Sequence, residues 1–256
     1  LAARVAGLFD GTVDALHLPV GPAGGMIGGL AMSGEAMPLI MNLDDERLEE
    51  RTKESGRAYK ELVEPVKNAT FTAAKTATLD TLVAMGRCSD VLVLGRPGAD
   101  PENVAPATVE AAIHECARAV MIAPPNPGEG PFDSVIVAWN GSFQAARAVE
   151  YALPFLAKAK EITILVAGST ADDVGAPYLA RNLGRHGIKT TIDAIDPGAV
   201  SARARGRALL DYTHGKGSSL LVMGAYGRGQ VMSFLGMGGA TAKVISSCRV
   251  PLLMAH

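Results

Sequence analysis

The chain has 256 residues, of which 48% are hydrophobic and 20% charged, a composition typical of a globular protein and too apolar for a disordered one. Its formal net charge of -2 gives no excess of Lys and Arg, so nucleic acid is excluded as the expected partner. No stretch reaches the roughly 18 consecutive apolar residues of a membrane-spanning helix. The 3 cysteines are too widely spaced for a disulfide framework or a CxxC metal site, so we expect a soluble protein of the reducing cytoplasm.

The first half of the chain starts in a helix, LAARVAGLFDG (1–11). A Gly- and Met-rich loop (21–36) comes next, followed by a long amphipathic helix (43–69) whose charged face we interpret as solvated surface. The segment SDVLVLGRPGADPENVAPATVEAAIHECARAVMIAPP (89–125) then predicts a short strand, a GxxG loop, a helix and a second short strand.

The last segment of the chain repeats that unit. SSLLVMGAYGRGQVMSFLGMGGATAKVISSCRVPLLMAH (218–256) has the same order of strand, GxxG loop, helix and strand. Gly95 and Gly224 are 129 positions apart, but Cys116 and Cys248 are 132 apart, so the second loop is longer by 3 residues. The Pro- and Gly-rich stretch between the copies predicts a boundary near residue 130. We therefore expect two tandem domains, 1–127 and 132–256.

Five strands alternate with helices in the second half. The predicted strands are SVIVAW (134–139), EITILVAG (161–168), IKTTIDAI (188–195), SLLVMG (219–224) and PLLMA (251–255). We expect the helix after the second strand to begin near Ser169, with Asp172 and Asp173 in its first turn. This alternation predicts an α/β fold with a five-stranded, doubly wound parallel sheet in each domain. Comparison of the two halves leads us to expect that the first strand of the first domain is missing from this sequence.

A loop with 6 glycines between positions 224 and 239 follows the fourth strand of the second domain. WNGS (139–142) follows the first strand, and doubly wound sheets bind ligands at the carboxyl ends of their strands. Free N–H groups at the start of the helix near Ala240 are suited to phosphate oxygens. Glycine spacing alone leaves two interpretations open, a phosphate cradle or a flexible turn.

Two other phosphate-binding motifs are excluded. A P-loop is excluded because GKGSS (215–219) precedes a strand and lacks the leading glycine. A GxGxxG dinucleotide fingerprint is excluded because it would have to follow the first strand, whereas this loop follows the fourth.

VIVAWNGSFQAARAV at the start of the second domain and VMGAYGRG with GGATAKVISSCRVPLLM at its end resemble the universal stress protein family in its tandem two-domain form. The resemblance implies an adenine nucleotide alpha hydrolase-like fold and the pattern G-x2-G-x9-G-[ST], which holds ribose and phosphates in ATP-binding members. Gly224 and Gly227 match its first two glycines. For the third, Gly236 comes one residue early and Gly238 one late, and we choose Gly238 and Gly239 because they adjoin the helix.

The resemblance also implies a set of nucleotide-binding residues. Asn140 stands where the family has Asp, and its amide can donate and accept hydrogen bonds toward adenine or ribose. The full expected set is Asn140, Gly141, Ser142, Ala167, Gly224, Gly227, Arg228, Gly229, Gly238, Gly239, Ala240 and Thr241. In the first domain Gly95 and Gly98 keep the GxxG, but prolines remove N–H donors from the rest of the loop. We expect that loop to be degenerate.

These observations predict a stress-response protein that binds ATP, accompanied by Mg²⁺, in its second domain and acts as a nucleotide-linked regulator. The alternative is a module of the same fold that binds no nucleotide and works through interaction and dimerisation. An enzyme is the least favoured interpretation, limited to slow ATP hydrolysis, because the loops carry no evident nucleophile, general base or carboxylate pair. The resemblance implies self-association, as a dimer, and protein partners that the sequence does not identify.

Overall fold

The computed structural model describes residues 1–19, 37–74, 76–98, 104–196, 201–226 and 239–256, with the backbone alone for 37–47. The chain forms two compact units, Leu1–Ala84 and Met85–His256. The predicted Gly- and Met-rich loop at 21–36 lies outside the described residues. No helix within the described ranges is both long and apolar enough to cross a membrane.

The first unit contains a two-stranded parallel sheet. Its elements are α1 (Ala2–Phe9), β1 (Asp14–Leu16), α2 (Met37–Leu62) and β2 (Thr70–Thr72), and α3 (Leu79–Arg87) runs across the division between the units. His17, just after β1, is hydrogen bonded to Thr52 and Ser55 on α2, at 3.1 Å and 2.9 Å. Lys53 and Glu54 of α2 are exposed, in agreement with a solvated charged face.

The second unit contains a seven-stranded sheet. Its strands are β3 (Val91–Gly95), β4 (Ala119–Ala123), β5 (Ser134–Ala138), β6 (Glu161–Ala167), β7 (Thr191–Ile195), β8 (Leu220–Gly224) and β9 (Leu252–Ala255). Its helices are α4 (Pro106–Glu115), α5 (Phe143–Leu156), α6 (Ala176–Arg185), α7 (Ala202–Gly215) and α8 (Ala240–Ser247). The strand order is β3-β4-β9-β8-β5-β6-β7. Strands β4, β8 and β9 are almost entirely buried, as expected from their continuous apolar runs.

The five strands of the second half form the predicted doubly wound sheet. Their order, β7-β6-β5-β8-β9, is parallel throughout, and each is connected to the next through a helix. The chain leaves β5 toward β6 and β7, then returns to β8 on the other side of β5. This reversal between β5 and β8 is the topological switch point, where such sheets leave a crevice for ligands. The predicted α/β fold class is confirmed.

The two halves are joined by one antiparallel pair of strands, β4 and β9. Val120 pairs with Met254, Met121 with Leu253, and Ile122 with Leu252. Met121 and Leu253 are 132 positions apart, the same spacing as the two repeated cysteines, so the paired residues are equivalent positions of the two copies. The pairing is therefore a two-fold contact of the kind a symmetric dimer makes, built within one chain. The strand and helix pattern does not predict it, because pairing between edge strands leaves no periodic signal.

Helix α6 begins later than the sequence predicts. It starts at Ala176, and residues 171–175, including Asp172 and Asp173, form turns before it. Gly175 has a left-handed backbone with φ of 68°, and the N–H of Asp173 donates to Thr170 Oγ1 at 3.2 Å. The Ser/Thr bond therefore closes a local turn instead of capping the helix. The turn remains at the carboxyl edge of the sheet, where it borders the candidate site.

The β4–β9 pair can be tested by its energetic coupling. Met121→Ala and Leu253→Ala each remove a side chain that is fully buried, so each is expected to lower the free energy of unfolding by about 2–5 kcal/mol. Because the two side chains face each other across the pair, the double variant should depart from additivity by about 0.5–3 kcal/mol in urea unfolding. Leu253→Ala with Leu165→Ala, a buried residue on distant β6, is the control and should be additive. Additivity in both pairs would contradict the β4–β9 contact.

Candidate functional site

The candidate site lies where β5 and β8 end side by side. Ala138 pairs with Met223, so the segment after β5 (139–142) and the segment that ends β8 and follows it (224–226) leave the sheet as neighbours. We call these two segments the β5–β8 edge. Three of the predicted residues, Asn140, Gly141 and Ser142, lie on the first segment, and Gly224 lies on the second.

Asn140 and Ser142 form a local turn that starts α5. Asn140 Oδ1 accepts hydrogen bonds from Ser142 N at 3.1 Å and from Ser142 Oγ at 2.7 Å. Ser142 Oγ in turn accepts from Ala145 N at 3.2 Å, which caps the helix. The hydroxyl of Ser142 is thus occupied by its own turn. Asn140 Nδ2 has no partner among the described residues and is the group that this turn leaves for a ligand.

Trp139 fixes the turn before α6 over the ends of β5 and β6. Its indole Nε1–H donates to Val174 O at 2.7 Å. A Cβ at Gly141 would lie 3.1 Å from the same oxygen, so the two segments are in close contact. Ala167, another predicted residue, ends β6 beside them and is half-buried. The sequence places Trp139 in the WNGS segment (139–142) but does not indicate this bond, because a contact between two loops leaves no pattern in the sequence.

Gly224 brings the end of β8 against the first turn of α5. A Cβ at this position would lie 2.6 Å from Ala145 N and 2.8 Å from the carbonyl carbon of Gln144, so no other residue fits without movement. Gln144 is 3% exposed, and its Nε2 donates to Tyr226 O at 3.2 Å. Its Oε1 is buried and accepts no hydrogen bond within the described structure. The second segment of the β5–β8 edge is therefore in direct contact with the first turn of α5, the helix that follows the first segment.

Tyr226 connects this edge to α8. Its backbone has a φ of 48°, unusual for a residue other than glycine, and its N–H donates to Thr241 Oγ1 at 3.3 Å. Thr241 lies in the first turn of α8 and is 8% exposed. Gly239 is the N-cap of that helix, and no side chain caps it. Gly239, Ala240 and Thr241 thus lie beside the second segment of the β5–β8 edge, and the Thr241 hydroxyl is bonded to Tyr226.

Helix α7 lies against the start of α8. A Cβ at Gly206 would lie 2.9 Å from Ala240 O, so the two helices touch backbone to backbone there. Since both helices follow parallel strands, they begin at the same edge of the sheet. Arg203 lies one helical turn before Gly206, about 4.5 Å further toward that edge. Arg203 is exposed and has no partner among the described residues. A glycine inside a helix was the available signal for this contact.

Four predicted residues, Gly227, Arg228, Gly229 and Gly238, lie outside the described residues, as does the choice between Gly236 and Gly238. Among the described residues no group of three or more His, Cys, Asp and Glu side chains could hold a metal ion.

The equivalent edge of the first half is arranged differently. A Cβ at Gly95 would lie 3.2 Å from Val104 Cγ2, and Pro97 forms an isolated parallel bridge with Val104. An apolar side chain therefore lies over the end of β3, whereas the end of β8 adjoins polar groups of α5. The degenerate first loop stays a prediction, because residues 99–103 lie outside the described residues.

The fold is that of universal stress proteins. No family model matches the chain, and no curated protein matches it in sequence. A universal stress protein from Archaeoglobus fulgidus superposes with a TM-score of 0.63 at 19% identity, over 88% of this chain and 84% of the other. A structure described as a universal stress protein of Pseudomonas aeruginosa gives a TM-score of 0.50 at 10% identity, over 99% and 86%. The resemblance seen in the sequence is thus confirmed at the level of the fold.

The close approach at Gly224 can be tested with a pair of Gly→Ala variants. Gly224→Ala is expected to lower the free energy of unfolding by about 1–3 kcal/mol, because the added methyl must displace the first turn of α5. Gly184→Ala in α6, where nothing lies within 4 Å, should instead raise it by about 0.5–1 kcal/mol. Urea unfolding measures both. A tolerated Gly224→Ala would mean that β8 and α5 do not approach this closely.

Proposed function

We propose that the second half of the chain binds an adenine nucleotide, ATP with its Mg²⁺, at the β5–β8 edge and acts as a nucleotide-linked regulator in a stress response. The observation that carries the proposal is the packing at Gly224, which brings the segment after β8 against α5 at the topological switch point. Through Tyr226 the same segment reaches the uncapped start of α8. Two loops and one helix N-terminus at a switch point are the parts from which doubly wound sheets build nucleotide sites.

The chemistry of this edge suits binding by backbone groups. The start of α8 offers N–H groups and the positive end of its dipole to phosphate oxygens. Asn140 Nδ2 offers a donor to ribose or base, and an Asn there adds no negative charge that would repel phosphates. Arg203 offers a cation at the same edge. The edge therefore combines donors and positive charge without a fixed anion among the segments 139–142, 224–226 and 239–241.

The hydrogen bonds made by the hydroxyl groups at this edge favour regulation over catalysis. The hydroxyl of Ser142 donates to Asn140 Oδ1, and the hydroxyl of Thr241 accepts from Tyr226 N. Neither is paired with a general base, which nucleophilic catalysis requires. Neither hydroxyl is therefore activated to attack a phosphate, and we expect the nucleotide to serve as a switch, with ATP hydrolysis at most slow.

A second function, as an interaction and dimerisation module that binds no nucleotide, is favoured by the β4–β9 pair. That pair shows that the terminal strand of each half recognises its counterpart. Assembly of whole chains into a homodimer in the cytoplasm, and recruitment of protein partners, belong to this proposal. It predicts an oligomeric state that does not respond to ATP.

Binding of MgATP is tested by thermal unfolding. A ligand that binds only the folded protein increases the free energy of unfolding by RT ln(1 + [L]/Kd) and therefore raises the melting temperature. Saturating MgATP should stabilise the wild type by about 2–4 kcal/mol. Gly227→Val, in the GxxG of the second half, should abolish the shift, whereas Gly98→Val in the first half should retain it. Absence of a shift in the wild type would favour the interaction module, and equal losses in both variants would contradict a single competent site.

The role of Arg203 is tested with a matched arginine on the same helix. Arg203→Gln is expected to weaken MgATP binding about tenfold, with adenosine binding unchanged, because we expect the lost charge to interact with the phosphates and not with the base. Arg207→Gln, one turn further from the edge and also exposed, should bind both ligands as the wild type does. Isothermal titration with each ligand measures the difference. Equal loss for ATP and adenosine would assign Arg203 a structural role.

A further inference from the structure

Aromatic side chains from both halves of the chain meet behind Tyr226. The His114 ring, in the last turn of α4, lies 5.1 Å from the Tyr226 ring and 4.5 Å from the His256 ring, edge on. Phe143, at the start of α5, is 6.4 Å from His256. We call His114, Phe143, Tyr226 and His256 the aromatic cluster. It places a helix of the first half against the segment that leads into the Gly-rich loop of the second.

Three further hydrogen bonds hold Tyr226 and the residue before it. Its N–H donates to Thr241 at the start of α8, and its carbonyl accepts from Gln144 of α5. Ala225, the preceding residue, accepts a hydrogen bond from His256 Nδ1 at 3.2 Å. The residue after it is Gly227, the second glycine of the GxxG. The left-handed backbone of Tyr226 is thus set at the point where the nucleotide loop begins, and the ring contact with His114 is the part of this arrangement that comes from the first half.

The rings of His114 and Tyr226 are both uncharged at neutral pH. Burial, together with Glu110, raises the pKa of Tyr226 to about 12, and its hydroxyl is buried with no hydrogen-bond partner in the described structure. Burial and the neighbouring His256 lower the pKa of His114 below 6.5, against the opposite effect of Glu110 and Glu115. On the α5 side, Arg147 donates to the His256 carbonyl at 2.8 Å and lies 5.8 Å from the centre of the Phe143 ring. Above about pH 6.5 His114 is therefore neutral.

No equivalent contact can form in the opposite direction. At the spacings of the two copies, the counterpart of His114 is Ser246, that of Tyr226 is Pro97 and that of His256 is Pro124. None of the three counterparts is aromatic. The contact therefore runs one way, from the half with the degenerate loop to the half with the candidate site.

We propose that helix α4 of the first half controls nucleotide binding by the second half through the contact of His114 with Tyr226, which holds the backbone of Tyr226 in the conformation that binds nucleotide. The inference rests on the proposed nucleotide site and adds its regulation. His114 is a positioning residue in this scheme, since it acts on the loop through Tyr226 and does not touch the nucleotide. Helix α4, which follows the loop expected to be degenerate, then regulates the site from within the same compact unit.

The direction of the pH effect follows from the charge preference. Burial and the neighbouring His256 lower the pKa of His114, so its buried position against Tyr226 is fully favoured above about pH 6.5 and is destabilised as the pH falls toward that lowered pKa. Acidification should therefore release Tyr226 and weaken nucleotide binding.

The test measures MgATP affinity by isothermal titration for His114→Ala, Tyr226→Ala and the double variant. His114→Ala should weaken binding by about threefold to tenfold, the range of an aromatic contact. Because His114 acts through Tyr226, adding His114→Ala to Tyr226→Ala should cause no further loss. Full additivity of the two changes would overturn the inference, as would a His114→Ala variant that binds as tightly as the wild type. No MgATP binding by the wild type would overturn the proposed function and this inference with it.

A second comparison uses His114→Phe, which keeps an aromatic ring and removes the titration. The wild type should lose affinity between about pH 7.5 and pH 5.5, relative to His114→Phe, whose response reports only the protonation of the nucleotide itself. His186→Ala, at an exposed histidine after α6, is the control and should follow the wild type. An identical pH response of the wild type and His114→Phe would overturn the role of His114 protonation.

Discussion

The close approach of Gly224 to the first turn of α5 is the constraint on which the candidate site depends. Without a side chain at this position, the end of β8 comes within contact distance of the backbone around Ala145. The carbonyl of Tyr226 then lies within reach of Gln144, and its N–H reaches Thr241 at the start of α8. The absence of a side chain at Gly224 thus allows the segment 224–226, the first turn of α5 and the start of α8 to meet at the switch point. A close-packed interior transmits any change at this point to all three elements.

The two copies of the repeat have diverged around that constraint. In the second half, Gly224 adjoins backbone and amide groups, whereas in the first half Val104 covers the end of β3. The terminal strands have kept their two-fold relation, since equivalent residues still pair between β4 and β9. Symmetry is therefore retained where the copies meet and lost where a ligand would bind. This division supports an arrangement in which one half binds and the other half regulates.

Much of the fold could be predicted from the sequence, because strands buried on both faces are continuous apolar runs and the helices between them have caps such as Ser142 and Ser201. The start of α6 was predicted too early, because the Thr170 hydroxyl can close a turn as readily as cap a helix. Gly224 and Thr241 were found from their motif. The sequence could not predict the roles of Gln144, Tyr226 and His114. Their roles arise from contacts between elements distant in the chain, and neither residue type nor spacing predicts such contacts.

The central claim is that a single nucleotide site is present and that it lies in the second half. Hydrogen exchange of backbone amides with and without MgATP tests it most directly, because each loop reports separately. The account predicts slower exchange at Gly224, Ala225 and Tyr226 and at the first residues of α8 when MgATP is added, with no change at Gly95 to Gly98. Slower exchange in the first-half loop, or unchanged exchange in both loops, would contradict it.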